Sequence, residues 1–361
     1  QTAINCSGSL PPQETGLVMN SWYGKFHLEM HYWHAAHFAS WSRPELLKKS
    51  LWYYQSILPK AIELASSQGY KGARWPKMTD ASGVDSPSPI GPLLIWQQPH
   101  PLYYAELIYR ACPTRDVLEC YLEIVLKTAE FMADYARWDE DRKCYVLGPG
   151  MIPSQENHKP NIVMNPPYEL EYWAYGLHTA NEWLKRLGEP INEEWERIAS
   201  HMAPAPVKEG LYLAHENCPD TYTELFNRDH PSMVAAMGML PGNSIDPAIM
   251  ENTLKKVLTG GWRMDEIWGW DFPMLAMCAA RLGLPQTAVE CLLYDSSKNV
   301  YLNNGHNKQA DRADIPCYLP GNGALLLAVG LMCAGWDGCA EDTPGFPKDW
   351  NVEWEDILPL P

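Results

Sequence analysis

Residues Phe26–Trp41 read FHLEMHYWHAAHFASW, and residues Pro44–Gln68 read PELLKKSLWYYQSILPKAIELASSQ. The first stretch is dense in aromatic side chains and histidine and carries few charges, so we predict a helix that is buried on most of its sides. Ser42 or Arg43 then lies near an N-cap, with Pro44 at the first helical position. The second stretch is longer and more polar, and it ends before a glycine. This pair predicts a buried helix followed by an amphipathic one.

The same alternation recurs along the rest of the chain. We predict roughly eleven helices, about six of the buried kind and about five of the amphipathic kind, with strand patterns almost absent. Half-exposed helices that alternate with buried ones form two concentric layers. The chain is therefore predicted to be an all-α (α/α)6 toroid that lacks one outer helix, which an upstream segment would supply. The alternatives are an irregular helical bundle or an α-solenoid, although no repeat of fixed length supports a solenoid.

The composition excludes several classes of protein. The chain has 361 residues, 46 % of them hydrophobic, and a net charge of −16. No run of Lys and Arg is interleaved with aromatic residues, so nucleic acid is not an expected partner. No stretch reaches the roughly 18 apolar residues of a membrane span. The 16 Trp and 19 Tyr outnumber the 6 Phe, and Trp and Tyr combine an apolar face with a polar group, which suits a sugar ligand.

The ten cysteines are scattered without CxxC spacing. The sequence therefore shows no zinc signature and no dense disulfide framework. Cys112 with Cys120, and Cys333 with Cys339, are pairs that an oxidising compartment would allow. No Gly-rich phosphate loop is present, and no cofactor is predicted.

The loop Leu147–Asn165, LGPGMIPSQENHKPNIVMN, separates two strongly helical segments. It is long and rich in Pro, Gly and Asn, and loops of this kind are usually functional or disordered. Its one acidic residue is Glu156, between Gln155 and Asn157. We predict that Glu156 is the general acid of a carbohydrate-active enzyme. The alternative is a solvated loop carboxylate.

Glycoside hydrolysis with inversion needs a second carboxyl group, about 6.5–9.5 Å from the first. Asp271 follows the sequence WGW at the start of a predicted inner helix, and Glu29 lies within the first one. An Asp before an apolar run is often only a helix cap, and a buried Glu is often half of a salt bridge. Asp271 and Glu29 are nevertheless our first candidates. Asp311 and Asp314, in a late polar loop, follow them.

Histidines recur at His27, His31, His34 and His37, on one side of the first predicted helix. A metal site would need partners from elsewhere, and the Glu of an HExxH signature is absent, so we predict no metal here. Sugar binding or core hydrogen bonding is the expected role. At most one of Glu169 and Glu171 can face the cavity. The residues predicted to bind substrate are His27, His31, Trp33, Trp75, Trp96, Gln98, His100, Glu169, Trp268, Trp270 and Asn322.

Several of these stretches resemble the six-hairpin glycosidases, in particular glycoside hydrolase families 65 and 95. The segment HLEMHYW at His27–Trp33 is similar to the family 95 inner-helix motif that ends in TEMNYW. SQEN at Ser154–Asn157 is similar to its general-acid segment SPEN, and PGNG at Pro320–Gly323 to its GNFG segment. Family 65 is similar in a GARWPW-type loop, here Gly72–Lys77, and in a Gly-Pro loop that bears its catalytic Glu, here Leu147–Glu156.

The blocks occur in the same order over about residues 20–336. The resemblance implies an inverting mechanism, a carbohydrate substrate, and an N-terminal β-sandwich with a helical linker, so we expect the catalytic part of a longer protein. Pro320 stands where family 95 has its catalytic aspartate, and Lys25 and His27 stand where it has two water-polarising Asn. The late loop also lacks the clear serine-rich phosphate nest that a family 65 phosphorylase needs.

We therefore predict a glycoside hydrolase that acts on the end of an oligosaccharide or polysaccharide. The alternatives are a disaccharide phosphorylase on the same fold, a non-catalytic glycan-binding module, and a sugar epimerase or lyase. An epimerase would use His pairs such as His31 and His100. The expected organisation is an extended segment over residues 1–24, the catalytic toroid over 25–336 and a tail over 337–361 packed on the toroid. The expected location is periplasmic or secreted.

Overall fold

Six buried helices form a closed inner ring. The computed structural model describes residues 2–11, 24–309, 312 and 314–361. In this part of the chain each inner helix contacts the next one, and the last contacts the first. The six are α2 (His31–Ser40), α4 (His100–Ala111), α6 (Pro167–Leu187), α8 (Ala235–Gly238, preceded by the 3-10 turn Ser232–Val234), α10 (Asp271–Arg281) and α12 (Leu319–Ala334). All ten residues of α2 are buried, because it is apolar or aromatic on every side.

Five amphipathic helices cover this ring. They are α3 (Pro44–Ser67), α5 (Arg115–Tyr135), α7 (Glu193–Ser200), α9 (Pro247–Lys256) and α11 (Pro285–Leu292). The first two each bridge two neighbouring inner helices. The side chains of Thr114, Asn192 and Asp246 accept backbone N–H groups at the starts of α5, α7 and α9, which satisfies donors that a helix leaves unpaired.

No outer helix of the described chain covers the seam between α12 and α2. A short helix, α1 (Thr2–Cys6), contacts both of them there. It lies in the segment that the sequence predicts to be extended. The C-terminal tail also reaches the seam, where the N–H of Leu358 donates to the carbonyl of Ser40. The predicted toroid that lacks one outer helix is thus confirmed.

Four short antiparallel strand pairs lie between the helices, where the sequence shows almost no strand pattern. They are β1 (Phe26–His27) with β2 (Met78–Thr79), β3 (Arg137–Asp139) with β4 (Cys144–Val146), β5 (Val207–Lys208) with β6 (Leu211–Tyr212), and β7 (Val300–Tyr301) with β8 (Asn307–Lys308). Strands of two or three residues leave no detectable alternation, so their pairing is a tertiary effect.

The pairing of β1 with β2, on either side of α2 and α3 in the sequence, corrects the prediction for the first inner helix. Residues Phe26–Met30 are not helical, because the backbone before His31 pairs with the loop that contains Lys77. The N–H of Leu28 donates to the carbonyl of Lys77 at 2.8 Å. Glu29 therefore lies in the turn before α2 and not within the helix.

All ten cysteines are free thiols, so neither of the pairings that the sequence would allow is formed. None of the helices in the described ranges is both long and apolar enough to cross a membrane.

The ring closes through a close approach of α12 to α2. A Cβ atom added at Gly323 would overlap the backbone carbonyl oxygen of Trp33. A backbone atom cannot move aside as a flexible side chain can, so this contact requires glycine. At Gly330, about two turns further along α12, the nearest atom to an added Cβ is Trp41 Nε1 at 3.1 Å.

We expect Gly323→Ala to lower the free energy of unfolding by about 1–3 kcal/mol, because the added methyl group forces α12 away from α2. Gly330→Ala is the matched control, since it adds the same methyl group to the same helix against a side chain that can shift. Thermal and urea denaturation of both variants would measure the difference. Equal stability of the two variants would contradict this account of ring closure.

Candidate active site

A polar cavity of about 270 Å³ opens at one end of the inner ring. Ligand pockets usually start at about 300 Å³, so this one suits a ligand of about one sugar ring. Four of the residues that line it carry carboxylate or amino groups, which is dense for so small a space. The lining residues are His27, Glu29, Met30, Lys77, Glu156, Asp229, His230, Trp268 and Tyr318.

Most of this lining comes from residues just before an inner helix. Met30 directly precedes α2, Tyr318 directly precedes α12, and His230 and Trp268 lie two or three residues before the turn of α8 and before α10. Connections from outer to inner helices all arrive at the same end of the ring. The fold therefore gathers side chains from distant parts of the sequence into one cavity.

The loop that carries Glu156 is held at its base and at its tip. At the base, the N–H of Leu147 donates to the side chain of Asn165, and the N–H of Asn165 donates to the carbonyl of Leu147, at 2.9 and 3.0 Å. At the tip, the side chain of Gln155 donates to two backbone carbonyls of a neighbouring loop. The N–H of Glu156 donates to Oδ2 of Asp229 at 3.1 Å. These bonds fix the position of the carboxyl group.

The carboxyl group of Glu156 is partly withdrawn from water, with 32 % of the side chain exposed. Burial raises its pKa, the nearby carboxylates of Asp229 and Glu29 raise it further, and Lys77 opposes them without cancelling the rise. Nζ of Lys77 lies 2.6 Å from Oε1 of Glu156. A carboxyl group with a raised pKa retains its proton at higher pH, which a general acid requires.

The carboxyl group of Glu29 contacts the same lysine, Lys77. Its Oε1 is 3.6 Å from Nζ of Lys77 and 3.0 Å from Nδ1 of His27. Its Oε2 is buried and has no hydrogen-bond partner among the residues that the structure describes. An unpaired carboxylate oxygen at the wall of a cavity is costly unless a ligand satisfies it. The structure thus brings Glu29 and His27 to the cavity, as predicted.

Asp271 lies behind the cavity and does not line it. Its side chain is fully buried, and it accepts hydrogen bonds from the N–H of Trp268 at 2.7 Å and from Nδ1 of His230 at 2.9 Å. Nε2 of His230 in turn lies 3.4 Å from Oδ1 of Asp229. Asp271 has no route to a substrate except through His230, so the predicted direct catalytic contact is not observed.

His230 is the positively charged residue between the carboxylates of Asp271 and Asp229. Burial alone would lower its pKa, but the carboxylates of Asp229 and Asp271 outweigh burial and raise it to about 9. The imidazole is therefore protonated at neutral pH and bridges two carboxylates. The pair lies against the indole of Trp270, with ring centroids 4.1 Å apart.

Asp229 is the cavity carboxylate that the sequence analysis missed. Its backbone has a φ of 61°, in the left-handed region that residues other than glycine adopt rarely. Conformations of this kind cluster at functional sites, where the surrounding contacts impose them. Here the contacts are the bond from the N–H of Glu156 and the proximity of His230. The side chain is 23 % exposed, so it is open to solvent in the cavity.

The predicted tryptophans divide into two groups. Trp33 and Trp96 both stack on Trp270, with centroids 5.0 and 6.3 Å from its ring, in the core below the cavity. Trp75 is also buried and donates to the hydroxyl of Thr128. These four side chains support the site and cannot stack on a ligand. Trp268 alone among the predicted tryptophans reaches the cavity, where Tyr318 joins it with centroids 5.5 Å apart.

Five other residues predicted to bind substrate hold the scaffold instead. Nε2 of His100 donates to the carbonyl of Glu29 and its Nδ1 accepts from the hydroxyl of Tyr172, so it supports the turn before α2. Glu169 accepts the N–H of Ser154, and burial raises its pKa to about 8. The remaining three also form hydrogen bonds within the protein: His31 to Ser50 and Tyr54, Gln98 to Ala73 and Trp75, and Asn322 to Gly305 and Asn307. Neither Glu169 nor Glu171 lines the cavity.

The late loop contributes no carboxylate to the described cavity. Asp314 is exposed and forms an ion pair with Arg312, which lowers its pKa. The other candidate there, Asp311, lies outside the described residues.

The missed lining residues had a usable signal. Asp229 and His230 stand in the sequence DHP directly before a short apolar segment, the same position that marked Asp271 before α10. Lys77 ends the GARWPK segment, in which only the tryptophan was singled out. Its contact with Glu156 spans 79 residues of sequence and has no local pattern.

No protein-family model and no curated protein sequence matches the chain. Solved structures do match it in three dimensions. A protein from the human microbiome assigned as a kojibiose phosphorylase superposes with a TM-score of 0.72 at 11 % identity, over 91 % of this chain and 52 % of its own. A glycosidase variant in complex with glucose gives 0.66, and a wild-type glycosidase 0.63, each at 12 % identity over 91 % of this chain and 94 % of theirs.

The chain thus spans about half the length of the phosphorylase and nearly all of the glycosidases. At 11–12 % identity these likenesses establish the fold alone. The chain shares the helical toroid of these solved structures, as the sequence predicts.

The ion pair of His230 with Asp271 should make the free energy of unfolding depend on pH. The pKa of His230 is raised from about 6.5 in the unfolded chain to about 9 in the folded one, so its contribution is complete below pH 6.5 and is lost as the pH rises through 9. We expect His230→Gln to cost about 3–5 kcal/mol at pH 6, because it leaves Asp271 buried without its partner. The cost should shrink towards pH 10.

Denaturation of the wild type and the variant between pH 6 and pH 10 would measure this. His201→Gln is the control, since His201 is exposed and bonds only to the carbonyl of Arg197 in its own helix. A difference between wild type and His230→Gln that stays constant with pH would rule out the protonated pair.

Proposed function

We propose that this protein is a glycoside hydrolase that removes a terminal sugar, with Glu156 as its general acid. One observation carries the proposal. The Glu156 carboxyl group projects into a ring-sized cavity, on a loop fixed at both ends, and burial raises its pKa. The fold shared with glycosidases supports the same reading.

Lys77 orients the acid. Its ammonium group donates a hydrogen bond to Oε1 of Glu156. Oε2 is therefore the oxygen that would carry the proton to the glycosidic oxygen. The lysine also keeps the pKa of the carboxyl group from rising further. An acid that held its proton too tightly would transfer it poorly, so the two opposing influences suit proton donation near neutral pH.

Asp229 is our candidate for the base that activates water. Oε1 of Glu29 lies 3.6 Å and Oε1 of Glu156 2.6 Å from the same Lys77 nitrogen, so these two oxygens lie closer than the about 6.5–9.5 Å of an inverting pair. Asp229 is the remaining carboxylate of the described cavity, and it is open to solvent. His230 at 3.4 Å holds it in place.

The other lining residues suit a sugar. The unpaired Oε2 of Glu29 is positioned to accept a hydrogen bond from a sugar hydroxyl. Trp268 and Tyr318 offer aromatic faces beside it. One ring fills a cavity of this size, so the expected substrate is the non-reducing or reducing end of a glycan and not its interior.

A disaccharide phosphorylase is the second candidate. Lys77 places a positive charge in the cavity, where it would attract an anion, and the structure superposes on a protein assigned as a kojibiose phosphorylase. In that case phosphate would attack the anomeric carbon in place of water, and Asp229 would not be needed as a base. The two candidates differ in their dependence on phosphate.

Glu156→Gln tests the acid. We expect the wild type to release a monosaccharide from at least one member of a panel of disaccharides and oligosaccharides without phosphate, and the variant to lose at least 100-fold in kcat/KM because it has no proton to donate. Chromatography of the products would measure both. The anomer of the fresh product, read by NMR within minutes, tests inversion.

Glu182→Gln is a matched control, because Glu182 is an exposed helical carboxylate paired only with Lys185. Turnover that requires phosphate would contradict the hydrolase proposal and support the phosphorylase. Undiminished turnover in Glu156→Gln would show that Glu156 is not the general acid.

Asp229→Asn and Glu29→Gln together test the base. For a hydrolase, we expect Asp229→Asn to abolish turnover with little change in KM, since the loss falls on water attack. Glu29→Gln should mainly raise KM, since the loss falls on sugar binding. Steady-state kinetics on the substrate found above would separate the two effects. The reverse pattern would assign the base to Glu29.

A further inference from the structure

We propose that His158, His215 and Cys218 form a zinc site that fastens the loop of Glu156 to the segment over residues 203–228. The three side chains are buried, and their potential ligand atoms all lie within 4.8 Å of one another. Around a tetrahedral zinc ion such atoms are about 3.5 Å apart, so small side-chain movements would close the site. This proposal does not depend on the proposed function.

The tautomer of His158 is fixed by its neighbours. Nε2 of Gln155 donates to the backbone carbonyls of Phe226 and Arg228, so the amide nitrogen must face them and Oε1 must face His158. That oxygen lies 3.0 Å from Nε2 of His158 and can only accept. The proton of the imidazole is therefore on Nε2, and Nδ1 presents a lone pair.

This lone pair is buried and has no hydrogen-bond partner within the described chain. The His158 side chain is 93 % buried, since its exposed fraction is 7 %. A buried acceptor without a partner is costly, and metal coordination would remove the cost. A histidine ligand that donates its other N–H to a carbonyl oxygen is the usual arrangement around a protein-bound metal, and Gln155 supplies that oxygen.

The other two side chains complete a donor set for zinc. The His215 ring packs edge-on to His158, with centroids 4.9 Å apart. Burial lowers the pKa of His158 to about 3 and that of His215 to about 4, so neither ring is an imidazolium at neutral pH. Nδ1 of His215 accepts the N–H of Asn217 at 3.2 Å, and zinc at this nitrogen would take the place of that donor. Burial raises the pKa of the Cys218 thiol to about 11, and zinc would displace its proton to solvent.

The chemistry of the donors selects the metal. Two imidazoles and one thiolate suit Zn²⁺ far better than Mg²⁺ or Ca²⁺, which prefer oxygen. A fourth position remains for water or for Asp220, whose Oδ1 lies 3.8 Å from Sγ of Cys218. No other group of three such side chains occurs in the described ranges.

The site would act on the position of Glu156, which is two residues from His158. Zinc would join the loop to the segment that contains His215, next to the bonds that Gln155 and Glu156 already make with the loop 226–229. We therefore expect the metal to stabilise the fold and to order Glu156, without contacting a substrate.

The test uses the purified chain after removal of metal with a chelator. We expect it to bind one Zn²⁺ per chain, measured by elemental analysis after gel filtration, and its Tm to rise by several degrees as zinc is added. Co²⁺ in place of Zn²⁺ should give a thiolate charge-transfer band. This wild-type spectrum needs no variant and shows whether the cysteine binds the metal.

Cys218→Ser and His158→Gln should lose the zinc-dependent rise in Tm, and Gln155→Leu should weaken zinc binding about 10- to 100-fold. Cys317→Ser is the matched control, because Cys317 is buried, its pKa is likewise raised to about 11, and it lies outside the cluster. A wild type that binds no zinc and shows no shift in Tm would overturn the proposal. Zinc binding that persists unchanged in both ligand variants would also overturn it.

Discussion

The ion pair between Lys77 and Glu156 joins two loops that are 79 residues apart in sequence. Lys77 directly precedes β2, which pairs with β1 just before the turn of Glu29, and Glu156 lies on a loop that bonds to Asp229. The one lysine thus connects three segments that arrive separately at the mouth of the ring. Each of its partners is a carboxylate partly or wholly removed from water, where an unpaired charge would be costly. Charge pairing at Lys77 therefore contributes to the geometry of the cavity alongside the backbone contacts.

A second set of charges lies one layer deeper. Asp271 is fully buried at the start of α10, and it is tolerated there because His230 and the N–H of Trp268 occupy its oxygens. The indole of Trp270, which stacks with Trp33, Trp96 and His230, lies against this pair. Aromatic side chains are thus used mainly to build a rigid, weakly polar base below the cavity. Such a base strengthens the electrostatic interactions above it, which is how it contributes to a site that it does not line.

Local sequence patterns predicted the secondary structure correctly in the long helical segments. The start of α3 at Pro44 follows from the preference of proline for the first helical position, and the alternation of buried and amphipathic helices predicted the two layers. They failed at Phe26–Met30, where a helical composition is overridden by pairing with Met78–Thr79. Two-residue strands satisfy a few backbone groups through distant partners, and no window of sequence contains that information.

The sequence by itself determined the toroid, the loop of Glu156 and the presence of Glu29, His27 and Trp268 among the candidate residues, because helical periodicity and loop composition are local properties. Only the tertiary structure decided which candidates reach the cavity. It placed Asp271 and most of the tryptophans in the core, added Lys77, Asp229 and His230, and brought His158 beside His215 and Cys218. The physical reason is ring closure: residues that precede different inner helices become neighbours only when all six helices are assembled.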